Sequence, residues 1–336
     1  PSTGEILAMI GSRDYYQSPY GAYNVTTAER QPGSSIKPIM YALALQQGYT
    51  AATILDDSPV TYSPAGSKPY SPVNYDGQFH GKVPLRYALG NSYNIPAVRT
   101  LNTLGVGNFI IHAQQMGIST WNDPSRYGLS ITLGGGEVKM TDMATAYGVF
   151  ANGGEKEDLE PIWSVQDYKG RVLFSRENKR EQVLDSRIAF IINSILSDND
   201  ARKSSFGPSS LLVIPNHTVA VKTGTSNNKR DNWTIGYTNK FLAAVWVGNH
   251  DNRPMNPALT SGVTGAAPIW HGIMTTLLDK YDAQKITSNV VDSFTVPEGM
   301  IQKPCYGGKM EYFIEEPDMS TSCRSEIKVD ENDGNQ

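Results

Sequence analysis

The 336-residue sequence contains few cysteines and few histidines, and this scarcity excludes several classes of protein. Two cysteines cannot build a disulfide-based scaffold or a cysteine-type zinc site. The five histidines are far apart and match no metal-ligand spacing: His80, His112, His217, His250 and His271. We therefore expect no metal centre.

The chain also lacks a large charge excess and a long apolar run. Its 29 basic and 33 acidic residues give a formal net charge of -4, spread without a long run of one sign. Nothing in this balance favours a nucleic-acid partner. No segment reaches the ~18–20 apolar residues that a membrane helix requires, and no signal peptide is evident. Because Pro1 lies just before a predicted strand, we expect a cut upstream of a domain's first strand.

The pattern of apolar and turn residues predicts a mixed fold with a sizeable core. A short apolar run over residues 5–11 predicts a buried strand, and residues 56–82 predict a long irregular excursion of a kind that is often functional. Helices are predicted over 34–47, 84–90, 96–104, 108–116, 140–151, 186–196 and 268–281, and strand pairs after Pro161. Because hairpins favour antiparallel pairing, we expect the first strand to join an antiparallel sheet formed late in the chain.

The first chemical motif is Ser-x-x-Lys, at Ser34 and Lys37, where a helix is predicted to begin. Residues three apart lie on one helix face, so this lysine lies beside this serine. A serine hydroxyl needs a base to become a good nucleophile, and a lysine with a lowered pKa can be that base. The same pattern recurs at 226–229 and 325–328, and a helix N-cap is the alternative role of Ser34.

Two further motifs are Ser-x-Asn at Ser92–Asn94, in a break between predicted helices, and Lys-Thr-Gly at Lys222–Gly224, on a predicted strand. In the first, a hydroxyl can relay a proton and an amide can hydrogen-bond substrate. The second offers an ammonium, the hydroxyls of Thr223 and Thr225, and at Gly224 a backbone that a ligand can approach closely. A polar turn and a strand lysine followed by a glycine bulge are the alternatives.

The combination and order of these motifs occur in penicillin-binding proteins and class A β-lactamases. The sequence resembles the transpeptidase domain of class A penicillin-binding proteins, the bifunctional peptidoglycan synthases. The resemblance covers nearly the whole chain, including a tail over 311–323. It rests on RQPGSSIKP (30–38), GNSYN (90–94), LGGGE (133–137), AVKTGTS (220–226), DNW (231–233), WVGN (246–249) and TSGVTGAAPIW (260–270).

The resemblance implies a role for each matching residue. Ser34 is similar to the acylated nucleophile, Lys37 to the base that activates it, and Ser92 to a serine that relays a proton. The Asn94 amide would hold the substrate, and Lys222 would support the proton network and the positive field. The hydroxyls of Thr223 and Thr225, around Gly224, would bind the donor's terminal carboxylate. The backbone N–H groups of Ser34 and Thr225 would form the oxyanion hole.

The resemblance also implies the architecture and the setting. The fold would be a mainly antiparallel five-stranded sheet flanked by helices, with an adjoining all-helical lobe. We expect a transpeptidase domain over 1–291, interrupted by the helical lobe over roughly 49–160, and a small C-terminal extension over 292–336. A glycosyltransferase domain and a membrane anchor would precede Pro1 in the full-length protein, and the domain would act on the outer face of the cytoplasmic membrane.

The implied partners are peptidoglycan stem peptides, as donor and acceptor, and β-lactam antibiotics as covalent inhibitors. Divisome or elongation proteins are further expected partners, whereas no cofactor and no nucleic acid is implied. In this extracytoplasmic setting, Cys305 and Cys323 are a possible disulfide, which would stabilise the tail by roughly 3 kcal/mol.

Other members of the wider superfamily remain as alternatives. Class A β-lactamases deacylate with a Glu-x-x-Leu-Asn loop, but the only Leu-Asn pair here is Leu101-Asn102, and Val98 occupies the glutamate position. This favours an acyl-enzyme that is kept for an amine acceptor. The motifs do not separate a transpeptidase from a DD-carboxypeptidase. A non-catalytic penicillin sensor is the third alternative, against which the Tyr- and Pro-rich loops and the tail weigh.

Overall fold

Helices and short strands alternate along the chain, and the computed structural model describes residues 1–63, 68–177, 179–256, 263–284, 293–317 and 319–323. The helices are α1 (Lys37–Gln46), α2 (Leu85–Gly90), α3 (Asn94–Leu104), α4 (Val106–Gln115), α5 (Met140–Ala151), α6 (Ser186–Leu196), α7 (Asn199–Phe206) and α8 (Ala266–Gln284). The strands are β1 (Ile54–Asp57), β2 (Gly81–Pro84), β3 (Glu155–Lys156), β4 (Ser164–Gln166), β5 (Val172–Ser175), β6 (Glu181–Gln182), β7 (Ala220–Thr225), β8 (Asp231–Tyr237), β9 (Leu242–Gly248), β10 (Met300–Pro304) and β11 (Met310–Ile314).

The largest sheet in the described residues has three antiparallel strands in the order β7-β8-β9. Side chains alternate between its two faces. Ala220 and Ile235 belong to the core around α1, whereas Val221 and Val245 pack with Trp270 of α8. Because helices cover both faces, every residue of β8 is buried.

Helix α1 is the centre of the main core. Every residue of α1 except Gln46 is buried, and the helix contacts α2, α3, α4 and α6. A helix that is apolar on all sides must be surrounded by other elements, and each fully buried Leu, Ile or Met contributes roughly 1.5–3 kcal/mol. Lys37, at the first position of α1, is the one buried residue of this helix with a charged type of side chain.

The mixed α/β class is confirmed, but the strand predicted over residues 5–11 is wrong. Glu5 makes one isolated bridge with Glu160, and the side chains of Leu7 and Ile10 are 66% and 77% exposed. A short apolar run forms a strand only where a partner satisfies its backbone hydrogen bonds and covers its side chains. No strand of the described residues does this for residues 6–10. The sheet β7-β8-β9 therefore lacks this strand, and in the described residues it has three strands against the expected five.

Most predicted helices are present, and some elements were not predicted. The predicted helices over 84–90, 96–104, 108–116 and 140–151 correspond to α2, α3, α4 and α5. Helix α7 and the β1–β2 pair had no sequence prediction. Outside the described residues lie 64–67 of the predicted excursion, 260–262 of one matching stretch, the motif copy at 325–328, and 292, 318 and 324–336 of the C-terminal extension.

The C-terminal segment packs into the body of the protein. Strands β10 and β11 form an antiparallel pair, and Phe313 is fully buried. Cys305 and Cys323 form a disulfide with their Cα atoms 5.4 Å apart. The buried Glu311 carboxylate accepts two hydrogen bonds from Arg86 of α2, from Nε at 2.7 Å and from Nη2 at 2.5 Å. This pair therefore joins the C-terminal hairpin to the helix that leads into the Ser-x-Asn motif.

We expect Arg86→Met to lower the free energy of unfolding by about 3–5 kcal/mol, because it leaves the buried Glu311 carboxylate without its cation. The matched control is Arg171→Met, since Arg171 is 77% exposed where it pairs with Asp167 at 3.1 Å. That change should cost less than about 1 kcal/mol. Urea unfolding of both variants measures the difference, and equal small effects would contradict the structural importance of the buried pair.

Candidate active site

Ser34 lies in a 3₁₀ turn, Gly33–Ile36, directly before α1. The turn contacts the edge of β7 through two glycines. A Cβ atom at Gly33, where φ is 56°, would lie 2.5 Å from the Thr225 carbonyl oxygen, and one at Gly224 would lie 2.2 Å from the Pro32 oxygen. Such distances exclude any side chain at either position. The sequence thus allows the serine turn and the strand to meet backbone to backbone.

Lys37, which is fully buried, follows this turn one helical turn after Ser34. Its Nζ donates to Ser92 O at 2.6 Å, Tyr93 O at 3.0 Å and Asn94 Oδ1 at 2.6 Å. Three acceptors match the three hydrogens of an ammonium, whereas a neutral amine donates only two and keeps a lone pair. None of the three acceptors is the Ser34 hydroxyl, so Lys37 must exchange one of them to act on that serine.

Although these three acceptors suit an ammonium, burial and a neighbouring cation make it easier for Lys37 to lose its proton. Burial lowers the pKa of Lys37 well below its ordinary value, the positive charge of Lys222 lowers it further, and the Asp57 carboxylate raises it. Burial penalises the charged form of any amine, and a neighbouring cation adds repulsion. Lys37 therefore has a lone pair available at lower pH than an exposed lysine would.

Ser92 connects the two lysines. It lies between α2 and α3 with φ at 64°, a left-handed backbone that is uncommon for a residue other than glycine. Its carbonyl oxygen accepts from Lys37, and its hydroxyl accepts from Lys222 Nζ at 2.8 Å. Strain of this kind costs of order 1–3 kcal/mol and is concentrated at functional sites. The backbone at Ser92 thus directs two acceptors towards two different amines.

Lys222 lies on β7 and is also buried. Besides the bond to Ser92, its Nζ donates to Thr223 O at 2.8 Å. Burial lowers the pKa of Lys222 to about 7, and the nearby guanidinium of Arg202 contributes to the decrease. Near neutral pH, this amine can therefore both accept and donate a proton.

The free edge of β7 faces the serine turn. Ser226 N donates to Asp231 O at 3.0 Å, on the β8 side of the strand. Because successive N–H groups of a strand point in opposite directions, the N–H of Thr225 points away from β8, towards the turn. The Thr225 nitrogen would lie 2.6 Å from a Cβ at Gly33. The Thr225 hydroxyl accepts from Asn232 Nδ2 at 3.2 Å, and Thr223 is buried beside it.

The structure thus links Lys37, Ser92, Asn94 and Lys222 by hydrogen bonds and places the turn that contains Ser34 against the strand of Thr223, Gly224 and Thr225. The motif copy at Ser226 has a structural role instead, since its hydroxyl bonds the Asp231 carboxylate at 2.8 Å. Sequence reasoning missed the polar residues behind the site, in particular Arg202 on α7 and the side chains of the excursion after β1. Only the length of that excursion signalled its importance.

The described residues contain no group of three or more His, Cys, Asp or Glu side chains placed to hold a metal ion. Within the same described ranges, no helix is long and apolar enough to span a membrane.

Comparison with known proteins gives matches across most of the chain. Residues 1–275 match the family described as the penicillin-binding protein transpeptidase domain. The chain is 33% identical over 307 residues to penicillin-binding protein 1A of Neisseria flavescens, and 32% identical over 333 residues to penicillin-binding protein 2D of Bacillus subtilis. These alignments cover 89% and 96% of the chain but 36% and 47% of the relatives. The chain therefore spans less than half the length of each relative.

Solved structures agree with these matches. Penicillin-binding protein 1A from Haemophilus influenzae superposes with a TM-score of 0.79 at 27% identity, over 93% of this chain and 51% of that chain. The penicillin-binding protein PonA1 from Mycobacterium tuberculosis gives a TM-score of 0.66 at 24% identity, over 81% of this chain and 72% of that chain. The second match supports the fold alone.

The fold and the matches define a class, that of the serine-type acyltransferases that act as transpeptidases. Within it, the chain belongs to the penicillin-binding protein transpeptidase family, to which its curated relatives also belong.

We expect the free energy of unfolding to rise with pH between about 7 and 10 because of Lys222. Its pKa is about 7 in the folded protein and about 10.4 in an unfolded chain, so across this window only the unfolded state binds the proton. The contribution of neutral Lys222 to the free energy of unfolding is therefore complete above the pKa of the unfolded chain, and it is lost as the pH falls towards the pKa of the folded protein. The contribution is about 1.4 kcal/mol per pH unit.

Lys222→Met should flatten that rise by the same amount, and urea titrations near the two ends of the window measure it. Lys240→Met is the control, because Lys240 is exposed in the turn between β8 and β9. Equal slopes in the wild type and in Lys222→Met would contradict the lowered pKa.

Proposed function

We propose that this chain is the transpeptidase domain of a peptidoglycan synthase, which cross-links stem peptides that end in D-Ala-D-Ala. The observation that carries the proposal is the pair of buried amines, Lys37 and Lys222, that meet at Ser92 beside the Ser34 turn. Both amines have pKa values lowered by burial and by neighbouring cations. Such a pair can move protons to and from a serine and a leaving amine near neutral pH.

In the first half of the reaction, Ser34 Oγ attacks the carbonyl carbon of the penultimate D-Ala, and its proton passes to the neutral amine of Lys37. The oxyanion that forms lies within reach of the backbone N–H groups of Ser34 and Thr225, an arrangement that stabilises negative charge. The peptide bond then breaks, and the terminal D-Ala leaves with a proton delivered through Ser92 and Lys222. The product is an ester between Ser34 and the stem peptide.

In the second half, the amine of a neighbouring stem peptide attacks this ester and gives up a proton through the same groups in reverse. The new peptide bond forms, and Ser34 regains its hydroxyl. In the first half, before the terminal D-Ala leaves, the Asn94 amide holds the donor backbone, and the hydroxyls of Thr223 and Thr225 hold the donor's terminal carboxylate in the field of Lys222. Gly224 keeps the strand edge open for this contact.

β-Lactams acylate the same serine in this proposal, since opening of their ring amide mimics the first half-reaction. Related structures support it: PonA1 from Mycobacterium tuberculosis is described in complex with penicillin V, and penicillin-binding protein A from that organism as a penicillin G acyl-enzyme. We infer further that the full-length protein is anchored in the cytoplasmic membrane with a glycosyltransferase domain before this one, and that it acts on the outer face. The curated relatives are more than twice as long as the part they share with this chain, which supports a longer full-length protein.

We expect Ser34→Ala to abolish covalent labelling by a fluorescent penicillin, because it removes the oxygen that forms the ester. The control is Ser35→Ala, since Ser35 is buried and its hydroxyl bonds Pro32 O at 2.7 Å. It should keep the label. Gel fluorescence and mass mapping of the labelled peptide report the result, and label retained by Ser34→Ala would overturn the nucleophile assignment.

We also expect the acyl-enzyme to prefer an amine to water. With a labelled D-Ala-D-Ala donor, added D-amino acid or glycine should yield mainly the transfer product, as measured by chromatography. Hydrolysis product alone would instead identify a DD-carboxypeptidase. Rapid loss of bound penicillin would identify a β-lactamase, and a stable label without any turnover of donor would identify a sensor.

A further inference from the structure

The excursion between β1 and β2 lies directly behind the Ser-x-Asn segment. We propose that Asp57, Asn74 and His80 of this region are positioning residues that fix Asn94 and, through it, the amine of Lys37. This inference rests on the proposed function, because it assigns these residues to the same acylation step. They act on Asn94 and Lys37 through hydrogen bonds and charge, and not through contact with Ser34.

Two hydrogen bonds fix the orientation of the Asn94 side chain. Its Nδ2 donates to Val73 O at 2.7 Å, and its Oδ1 accepts from Lys37 Nζ at 2.6 Å. Because a carbonyl oxygen only accepts, the NH₂ end of the amide must face Val73. The oxygen therefore faces Lys37. A backbone group of the excursion thus determines which end of the Asn94 amide meets the lysine.

Asn94 is the first residue of α3, and its backbone is held by a separate contact. The preceding Tyr93 provides no side-chain cap for this helix. Asn74 supplies one instead, since its Oδ1 accepts from Asn94 N at 2.7 Å and from Ile95 N at 3.4 Å. Helix N-termini leave N–H groups without partners, and a substitute cap from a distant segment fixes where the helix starts.

The Asp57 carboxylate and the Gln78 carbonyl together determine the orientation of the Asn74 amide, since Asn74 Nδ2 donates to both residues. The Asn74 Nδ2 donates to both oxygens of the Asp57 carboxylate at 2.8 Å. Since an ionised carboxylate accepts hydrogen bonds and does not donate, the oxygen of the Asn74 amide must face Asn94. Asp57 is fully buried and Asn74 is 4% exposed, so solvent offers no alternative partners. Hydrogen bonds are thus donated in one direction, from Lys37 to Asn94, from Asn94 to Asn74 and from Asn74 to Asp57.

His80 completes the network. It donates to the Asp57 carboxylate through its backbone N–H at 3.0 Å, and its ring Nδ1 lies 2.6 Å from the same oxygen. Its ring stacks on Tyr93, with centroids 3.9 Å apart and planes 13° apart. His80 therefore joins the buried carboxylate to the middle residue of the motif, and the excursion contacts each of Tyr93 and Asn94 directly.

The charge of Asp57 adds a second effect, which can be measured separately. The carboxylate raises the pKa of Lys37, against the larger lowering by burial and by Lys222. The titratable groups that face Asp57 are Lys37 and Tyr41 of α1, Tyr93 before α3 and His80 of the excursion itself. Lys222 of β7 faces Lys37 from the other side. Of the charged neighbours of Lys37, Lys222 lowers its pKa and Asp57 raises it.

The test is the rate of acylation by a fluorescent penicillin, measured against pH in otherwise intact protein. In the wild type, the rate should rise with pH as Lys37 loses its proton. Asp57→Asn should move this rise to lower pH by about half a unit or more, because it removes a negative charge near Lys37, and should lower the plateau about tenfold. Asn74→Ala keeps the Asp57 charge, so the pH at which the acylation rate rises should not change. Because the variant removes the cap on Asn94, the plateau rate should fall about tenfold.

Asp56→Asn is the matched control, because Asp56 neighbours Asp57 on β1 but has a side chain that is 47% exposed and lies 3.5 Å from Arg99. It should reproduce the wild-type profile. Circular dichroism and Tm check the fold of each variant. If Asp57→Asn does not fold, His80→Phe keeps an aromatic ring on Tyr93 and removes one contact to Asp57, and it should lower the plateau severalfold.

The outcomes separate the two proposals. Absence of label in the wild type would contradict the proposed function itself. Label in the wild type, with unchanged rates and profiles in folded Asp57→Asn, Asn74→Ala and His80→Phe, would overturn the positioning network alone. A lower plateau with no shift of the rise in Asp57→Asn would overturn the electrostatic effect of the carboxylate on Lys37.

Discussion

The site depends on the burial of two lysine side chains, Lys37 and Lys222, at one junction. A buried amine loses its hydration and needs polar partners from the protein, and two such amines near each other also repel. Ser92 gives each amine a polar partner, since its carbonyl oxygen accepts from Lys37 and its hydroxyl accepts from Lys222. The cost of burial lowers both pKa values, and this is the property that proton transfer near neutral pH requires.

Because Ser92 has a strained backbone, the structure must hold it from both sides. On one side, Asn91 donates to Ala201 O at 2.9 Å and accepts from Ser205 N at 3.0 Å, so α7 fixes the residue before the serine. On the other side, Asn74 caps the helix that begins two residues after it. Strained conformations persist only where the surroundings over-determine them, and here two distant segments do so.

Local chemistry could be predicted from the sequence, but its support could not. The Ser34 and Lys37 pair is predictable because residues three apart in a helix are neighbours in any fold. Asn74 and Arg202 reach the site through long-range contacts, for which no sequence period exists. The apolar run over residues 5–11 shows the opposite failure: its composition permits a strand, but a strand also needs a partner, and composition does not encode one.

The C-terminal hairpin also reaches the site through long-range contacts. Lys309 pairs with Asp198, and that carboxylate also bonds Arg86 and caps α7 at Ala201 N. Helix α7 carries Arg202, whose guanidinium lowers the pKa of Lys222, and α2 carries Arg86 just before the Ser92 segment. Charges on the hairpin therefore hold α7, which carries Arg202, and α2, which leads to Ser92, so the hairpin contributes to the energetics of the site.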